Sequence, residues 1–295
     1  MVRIGYDIGG TNIAAGILDE QDRLILKKSM RFPRGKGTAA VIEVCASLYH
    51  ALLKDAQINE TEVSGVGAAV PGSVDLKNGV VIDAYNLDFH QTPLTSLLSE
   101  VLQKPVGLIN DADAATLAEH RVGALRGTRT SMMITIGTGI GGGLILNGEL
   151  FSGGRGSGTE PGHMVLVNGG RPCTCGIHGC AEAYCAATRL AKDGQAFGLN
   201  DAKAVIDAAK AGNADACAIF TAYIDDLGSY LASVINLLDP ERIAVGGGVC
   251  GAGDFLMVPL RANVEQKCFF KTCPELVVAT AGNDAGIIGA CLIAP

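Results

Sequence analysis

Two segments of this chain, far apart in sequence, make the same kind of break: a strand-like run stops at glycine and resumes at once. The first is Asp7-Ile8-Gly9-Gly10-Thr11-Asn12 and the second is Gly137-Thr138-Gly139-Ile140-Gly141-Gly142-Gly143. Glycine at such a point reads as hairpin-turn chemistry. What surrounds each break also matches. In the first half, residues 2–8, 12–19 and 22–31 read as strands. A helical pattern capped by Thr38 follows, with Val41, Ile42, Cys45, Leu48, Tyr49, Leu52 and Leu53 at helical spacing. A strand over 63–70 ends at Pro71-Gly72; a helix near 92–103, a strand over 106–109 and a helix over 112–123 complete that half. The second half has strands over 131–136 and 142–146, with Asn147-Gly148 as a hairpin turn. Helices follow, the clearest over 214–238, then a strand over 242–246, a helix near 255–268, a strand over 276–279 and a short helix over 284–292.

An order repeated in this way predicts an α/β fold built by internal duplication, βββαβαβα twice, with two α/β domains facing each other across a cleft. The expected domains are 1–112 and 113–295, with the last helix, 282–295, a candidate to join the first and a loop over 160–182 inserted in the second. Open α/β sheets hold ligands at the carboxyl ends of their strands. Asn110 and Asp111 fall at such an end.

The length of 295 residues suffices for two domains, and an apolar fraction of 48% suffices for two cores. No apolar run reaches the roughly 20 residues of a membrane span. The start, Met1-Val2-Arg3-Ile4-Gly5-Tyr6, enters a strand pattern without a basic and then apolar leader, so the expectation is a cytoplasmic protein without a secretory signal. A net charge of −7 argues against a nucleic-acid surface.

In a reducing compartment, ten cysteines read as metal ligands or packing rather than disulfides. His163, Cys173, Cys175 and Cys180 offer one imidazole and three thiolates, a closed set for structural Zn²⁺. Glu160 lies three residues before His163 and Glu182 two after Cys180, so a metal pinning this loop also positions both acids. His163 keeps a second ring nitrogen for a sugar hydroxyl. His178 is a competing ligand. Cys45, Cys185, Cys217, Cys250, Cys268 and Cys291 read as small core residues, although Cys268 and Cys273 can pair under oxidation.

Glycines let a backbone approach phosphate oxygens and aim N–H groups at them. In the first hairpin Gly9 and Gly10 would do so, Thr11 and Asn12 add donors, and Asp7 suits a hydrated Mg²⁺. Alone, this segment fits an ordinary hairpin turn equally well. Neither hairpin has the Gly-Lys-Ser/Thr ending of a P-loop, and neither opens a helix. Two of them, with Gly137, Thr138 and Gly139 in the second, suit a triphosphate held from both sides. Gly246-Gly247-Gly248 leaves room for a flat adenosine, and fits a tight turn equally. Within Asn110-Asp111-Ala112-Asp113, an aspartate serves as a helix cap, or Asp111 accepts a hydroxyl proton during phosphoryl transfer while Asn110 holds a neighbouring hydroxyl. Glu160, Glu182, Asn110 and Asp111 together suit a polyol.

These segments resemble the sugar kinases of the ROK family (repressors, uncharacterised frames and kinases), within the actin-like, ribonuclease-H-like ATPase superfamily. The resemblance rests on the two phosphate motifs, the Asn110-Asp111 pair, Glu160-Pro161-Gly162-His163 and the motif from Cys173 to Glu182, and it covers the whole chain. It implies an ATP- and Mg²⁺-dependent hexose 6-phosphotransferase with Asp111 as base. Asn110, Glu160, His163 and Glu182 would bind the sugar, with Gly72 and Asn86 lining the same pocket. Glucokinase is the first expectation, with N-acetylmannosamine, N-acetylglucosamine, fructose or allose kinases as alternatives, then a non-catalytic sugar sensor or a filament-type ATPase. A homodimer is also implied. Asp113 departs from the asparagine of many relatives; a second carboxylate there would raise the pKa of Asp111 or only cap the helix. The repressor branch carries an N-terminal helix-turn-helix, for which strand one, beginning at Val2, leaves no room.

Overall fold

A computed structural model describes residues 1–32, 37–154 and 158–295. The sequence also gathers glycines from Gly153 to Gly158, and part of that run lies outside the described residues. Thirteen strands and nine α-helices are present among those described. The first half holds β1 (Val2–Ile8), β2 (Asn12–Leu18), β3 (Leu24–Arg31), α1 (Gly37–Ala56), β4 (Val63–Val70), β5 (Ser73–Asp75), β6 (Val80–Ala84), β7 (Phe89–Thr92), α2 (Leu94–Leu102), β8 (Val106–Asn110) and α3 (Asp111–Val122). The second holds β9 (Ser131–Ile136), β10 (Ile140–Leu146), β11 (Glu149–Leu150), α4 (Glu182–Cys185), α5 (Ala187–Gly194), α6 (Ala202–Lys210), α7 (Ala214–Leu238), β12 (Arg242–Gly246), α8 (Asp254–Lys267), β13 (Glu275–Val278) and α9 (Ala285–Leu292).

The duplication is visible in the sheets. One runs β3-β2-β1-β4-β8 and the other β11-β10-β9-β12-β13. In each, an antiparallel glycine-broken hairpin pairs with parallel strands that follow it. The chain divides into two compact units, one of Met1–Gly123, Leu150–Thr159 and Asn283–Pro295, the other of Ala124–Glu149 and Glu160–Gly282. The expected boundary at 112/113 would have given α3 to the second half. It belongs with the first unit, because a Cβ on Gly289 of α9 would come within 2.0 Å of the Ala114 carbonyl oxygen, and Arg121 at its far end bonds Asp22 at 2.5 Å. Thr38, expected as a cap, lies inside the first turn of α1, which starts at Gly37.

In the first unit, strand alternation sorts side chains to two faces. Ile4, Tyr6 and Ile8 of β1 and Val66, Ala68 and Val70 of β4 pack into one core with α1 and α2. The opposite face has glycine at its centre, Gly5, Gly65, Gly67 and Gly107, with Ala69 and Ile109 beside them. Here α9 and the C-terminal residues lie directly on the sheet. A Cβ on Gly67 would fall 1.8 Å from the Ala290 carbonyl oxygen, and one on Gly5 2.3 Å from that of Ile287. The small β5-β6-β7 sheet over residues 73–92 was not foreseen, because its strands are too short to show an alternating pattern.

In the second unit, α7 buries Phe220, Tyr223, Ile224, Leu227, Leu231, Val234 and Ile235 in the core, and Asn213 caps it by accepting the Ala216 N–H at 2.9 Å. All ten cysteines are free thiols; Cys45, Cys185 and Cys291 are buried, whereas Cys217, Cys250 and Cys268 are only half-buried, short of the core positions expected for them. No described helix is long and apolar enough to cross a membrane.

Gly67→Ala should lower the unfolding free energy by about 1–3 kcal/mol, since the added methyl meets backbone that cannot step aside. A denaturant midpoint equal to the wild-type value would contradict the close packing of α9.

Candidate functional site

In the first unit the parallel strands β1, β4 and β8 end at one level. Asp7 pairs with Ala69 and Val70 with Asn110, so the β1–β2 turn, the Pro71-Gly72 turn and the start of α3 share one sheet edge. Gly9 N–H donates to the Asn12 carbonyl at 3.0 Å, closing the hairpin. A Cβ on Gly10 would lie 2.9 Å from Asn86 Cβ, so the hairpin tip is packed on Asn86. Gly72 has φ +86°, and a Cβ there would fall 2.1 Å from the Asp83 carbonyl oxygen; only glycine serves both requirements.

Asn110, not Asp111 or Asp113, is the helix cap. Its Oδ1 accepts the N–H groups of Ala112 at 2.8 Å and Asp113 at 3.3 Å, and its Nδ2 donates to the Gly72 carbonyl at 2.9 Å. One amide N–H is left for a ligand. This fixes the chain at Asp111, the first residue of α3, whose side chain is exposed and accepts the Ala112 N–H at 2.8 Å. Asp113 is buried, with a Cβ on Gly158 falling 2.5 Å from its Oδ2, and so faces away from solvent. Asp7 is half-buried and makes no ion pair among the described residues; burial pushes its carboxyl above the ordinary carboxylate range. A carboxylate in that state fits a bound cation.

In the second unit the β9–β10 turn is closed by Gly137 N–H donating to Gly139 O at 3.0 Å. Glu160-Pro161-Gly162-His163 forms a 3-10 turn laid on β10: a Cβ on Gly162 would fall 2.2 Å from the Ile140 carbonyl oxygen. His163, Cys173, Cys175 and Cys180 converge, their ligand atoms all within 4.8 Å of one another. Cys175 and Cys180 sulfurs are 3.6 Å apart, and Cys173 Sγ lies 3.7 Å from His163 Nδ1. Tetrahedral zinc with ~2.3 Å Zn–S bonds separates sulfurs by about 3.8 Å. The donor set and its spacing therefore fit zinc, with His163 Nε2 left over. His178 stands outside the group, exposed and paired in a β-bridge with Pro172.

Glu160, His163 and Glu182 are close enough to act on one another. Crowding by protein atoms raises the carboxyl of Glu160 even though the residue has an exposed surface; His163 lowers it and Glu182 raises it further. Glu182 is half-buried, its Oε2 accepting the Ile140 N–H at 3.1 Å.

Gly247, at φ +93°, lies against the end of β9, where a Cβ would fall 2.1 Å from the Ile136 carbonyl oxygen. Beside this turn is a cavity of ≈ 370 Å³ lined by Gly248, Val249, Ala252, Ala202, Lys203 and Ile206, among others. The α6 contribution had no signal in the sequence beyond an amphipathic pattern. The same is true of Ala187 and Thr188, which bond the carbonyls of Gly137 at 3.0 Å and Thr138 at 2.7 Å.

The model of the ROK family matches residues 3–295. The chain belongs to the ROK family. This ROK protein is 35% identical over 309 residues to the glucokinase of Thermotoga maritima, a match covering 98% of this chain and 96% of the relative. It is 30% identical over 291 residues to the N-acetylmannosamine kinase of Haemophilus influenzae, covering 97% and 93%. Among solved structures, a ROK family glucokinase from Streptomyces griseus, in complex with glucose and AMPPNP, matches with a TM-score of 0.84 at 29% identity, covering 100% of this chain and 99% of that one. The α/β fold class expected from the repeated strand order, and the actin-like fold that the resemblance implied, are thereby shown.

Elemental analysis should find one zinc per chain, and Cys175→Ser should lower that content. Full zinc occupancy in the serine variant would exclude this ligand set. For Asp7, the raised carboxyl means that between its ordinary and its folded pKa the native state binds the extra proton, so stability falls as pH rises through that window. Asp7→Asn should therefore raise Tm at pH 7 more than at pH 4, and a Tm gain independent of pH would contradict the burial argument.

Proposed function

We propose that this ROK protein is an ATP- and Mg²⁺-dependent hexose kinase acting at the sugar 6-hydroxyl, with glucose as first substrate. The observation that carries the reading is the situation of Asp111: an exposed carboxylate on the first residue of α3, at the sheet edge shared with the Asp7 hairpin and the Gly72 turn. A base for a hydroxyl proton must be held rigidly and still be reachable. The cap of Asn110 supplies the rigidity, and exposure supplies the access.

In this reading Asp111 accepts the hydroxyl proton as the sugar oxygen attacks the terminal phosphate, whose bond to the bridging oxygen breaks to release ADP. The remaining amide N–H of Asn110, the carboxylates of Glu160 and Glu182 and Nε2 of His163 orient the sugar hydroxyls, with Gly72 and Asn86 as further pocket residues. A structural zinc held by His163, Cys173, Cys175 and Cys180 would fix the ring of His163. Gly9, Gly10, Thr11 and Asn12 on one hairpin, and Gly137, Thr138 and Gly139 on the other, offer N–H and hydroxyl donors to phosphate oxygens. Adenosine occupies the cavity beside Gly246, Gly247 and Gly248, whose glycine and alanine walls admit a flat ring. Asp7 would hold the hydrated Mg²⁺ that draws charge from the transferred phosphoryl group. The glucose and AMPPNP held by the Streptomyces griseus relative support both halves of the assignment.

The N-acetylmannosamine kinase relative favours one competing reading, the same transfer to an N-acetylhexosamine. The difference lies in the room beside carbon 2. We further propose a cytoplasmic homodimer that binds neither membrane nor nucleic acid.

Asp111→Ala should cut kcat by roughly 10²–10⁴-fold while glucose still binds in calorimetry; near-normal turnover would remove Asp111 as the base. A panel of hexoses and N-acetylhexosamines, scored as kcat/KM, should rank glucose first, and a higher value for N-acetylmannosamine would transfer the assignment to the competing reading.

A further inference from the structure

The tip of the β9–β10 hairpin is held by groups outside it. Glu182 Oε2 accepts the Ile140 N–H at 3.1 Å, Ala187 N–H donates to the Gly137 carbonyl at 3.0 Å, and the Thr188 hydroxyl donates to that of Thr138 at 2.7 Å. All three belong to the segment directly after Cys180, the last residue of the metal cluster. The other oxygen of Glu182 points back to that cluster: Oε1 accepts the Thr174 hydroxyl at 3.3 Å, a bond that persists when Cys173 is a metal-bound thiolate, and lies 3.4 Å from Cys173 Sγ, which donates to it only while protonated. One half-buried carboxylate thus spans the metal loop and the hairpin. The approach leaves no space for a side chain, since a Cβ on Gly139 would fall 2.2 Å from Oε2. The carbonyl of Ile140 is closely approached by Gly162, next to His163: a Cβ there would fall 2.2 Å from it.

We propose that Glu182 is a positioning residue for the nucleotide-facing hairpin, and that it transmits the metal-bound, folded state of the Cys/His loop to residues 137–140. The inference rests on the kinase reading of that hairpin and deepens it. A sugar contact by Glu182 is compatible, because Oε2 is engaged by Ile140 while Oε1 is the oxygen that can turn to a substrate hydroxyl. Nucleotide affinity then depends on zinc through this side chain, without any sugar present.

The test uses the full chain, zinc-loaded and chelator-stripped, as wild type, Glu182→Ala and Glu182→Gln. Binding of Mg²⁺–AMPPNP without sugar is measured by calorimetry, and amide hydrogen exchange is followed over residues 137–142. Stripping zinc from the wild type should weaken AMPPNP by roughly ten-fold, the scale of one charge-assisted hydrogen bond. Glu182→Ala should weaken it similarly, and stripping that variant should add little, the non-additivity that marks a shared route. Glu182→Gln should keep most of the affinity, since its amide oxygen still accepts from Ile140. Exchange at Ile140 should speed up in the alanine variant and in the stripped wild type. Additive losses, or an alanine variant with unchanged affinity and protection, would overturn the coupling. If the zinc-loaded wild type fails to bind AMPPNP, the kinase reading falls, and the exchange data still decide the coupling. Should the alanine variant not fold, Glu182→Asp, too short to span both partners, takes its place with the same expected result.

Discussion

The backbone of α9 lies on a sheet face whose centre is lined by glycines. Gly5, Gly65, Gly67 and Gly107 present bare backbone, and carbonyl oxygens of Ile287, Ala290, Ile293 and Pro295 occupy the space a Cβ would need. Much of the first unit follows from this contact. Held there, α9 supports α3 through the approach of Gly289 to Ala114, and α3 carries Asp111 at its first turn. The same helix sets Gly286 against the carboxylate of Asp7, 2.7 Å from a would-be Cβ, which helps to explain why that group is short of water. Glycine in the interior of a strand is costly by itself. Its repeated use here reflects the need to bring the C-terminal helix down to the level of the sheet.

The second unit solves a different problem. Its hairpin has the same glycine-broken form, but the support comes from a polar loop rather than from a packed helix. A loop of this kind has little apolar surface of its own, and Val165, Val167 and Ile177 are all exposed. Four converging groups, His163, Cys173, Cys175 and Cys180, would supply through a shared metal the order that burial cannot. Glu160 lies on the turn against β10 and Glu182 on the Ile140 N–H, so a metal held there would also fix both acids. It would serve geometry rather than chemistry, because four protein ligands leave no open position.

Much was legible without coordinates, and for definite reasons. Strands β1, β4, β9 and β12 are mostly apolar runs ended by glycine or proline, and α7 repeats apolar residues at helical spacing over 25 positions. Such patterns are local, so they survive in one dimension. The Cys/His set was equally plain, because ligand chemistry restricts residue type more tightly than packing does. The short strand Phe89–Thr92 left no trace, since four residues are too few for an alternating pattern to stand out, even though its partner strand is its neighbour in sequence.

The order of the elements in the two large sheets, the duplication and the convergence-ready set His163, Cys173, Cys175 and Cys180 were therefore determined by the sequence itself. Tertiary structure alone decided which duty each polar group takes up. It made Asn110 the cap and left Asp111 exposed, buried Asp113 beside Gly158, gave α3 to the first unit, and joined Glu182 to Ile140 forty-two residues away. The reason is physical. Residue type fixes what a side chain can donate or accept, whereas its partner is set by backbone that comes close only when sheets and helices pack.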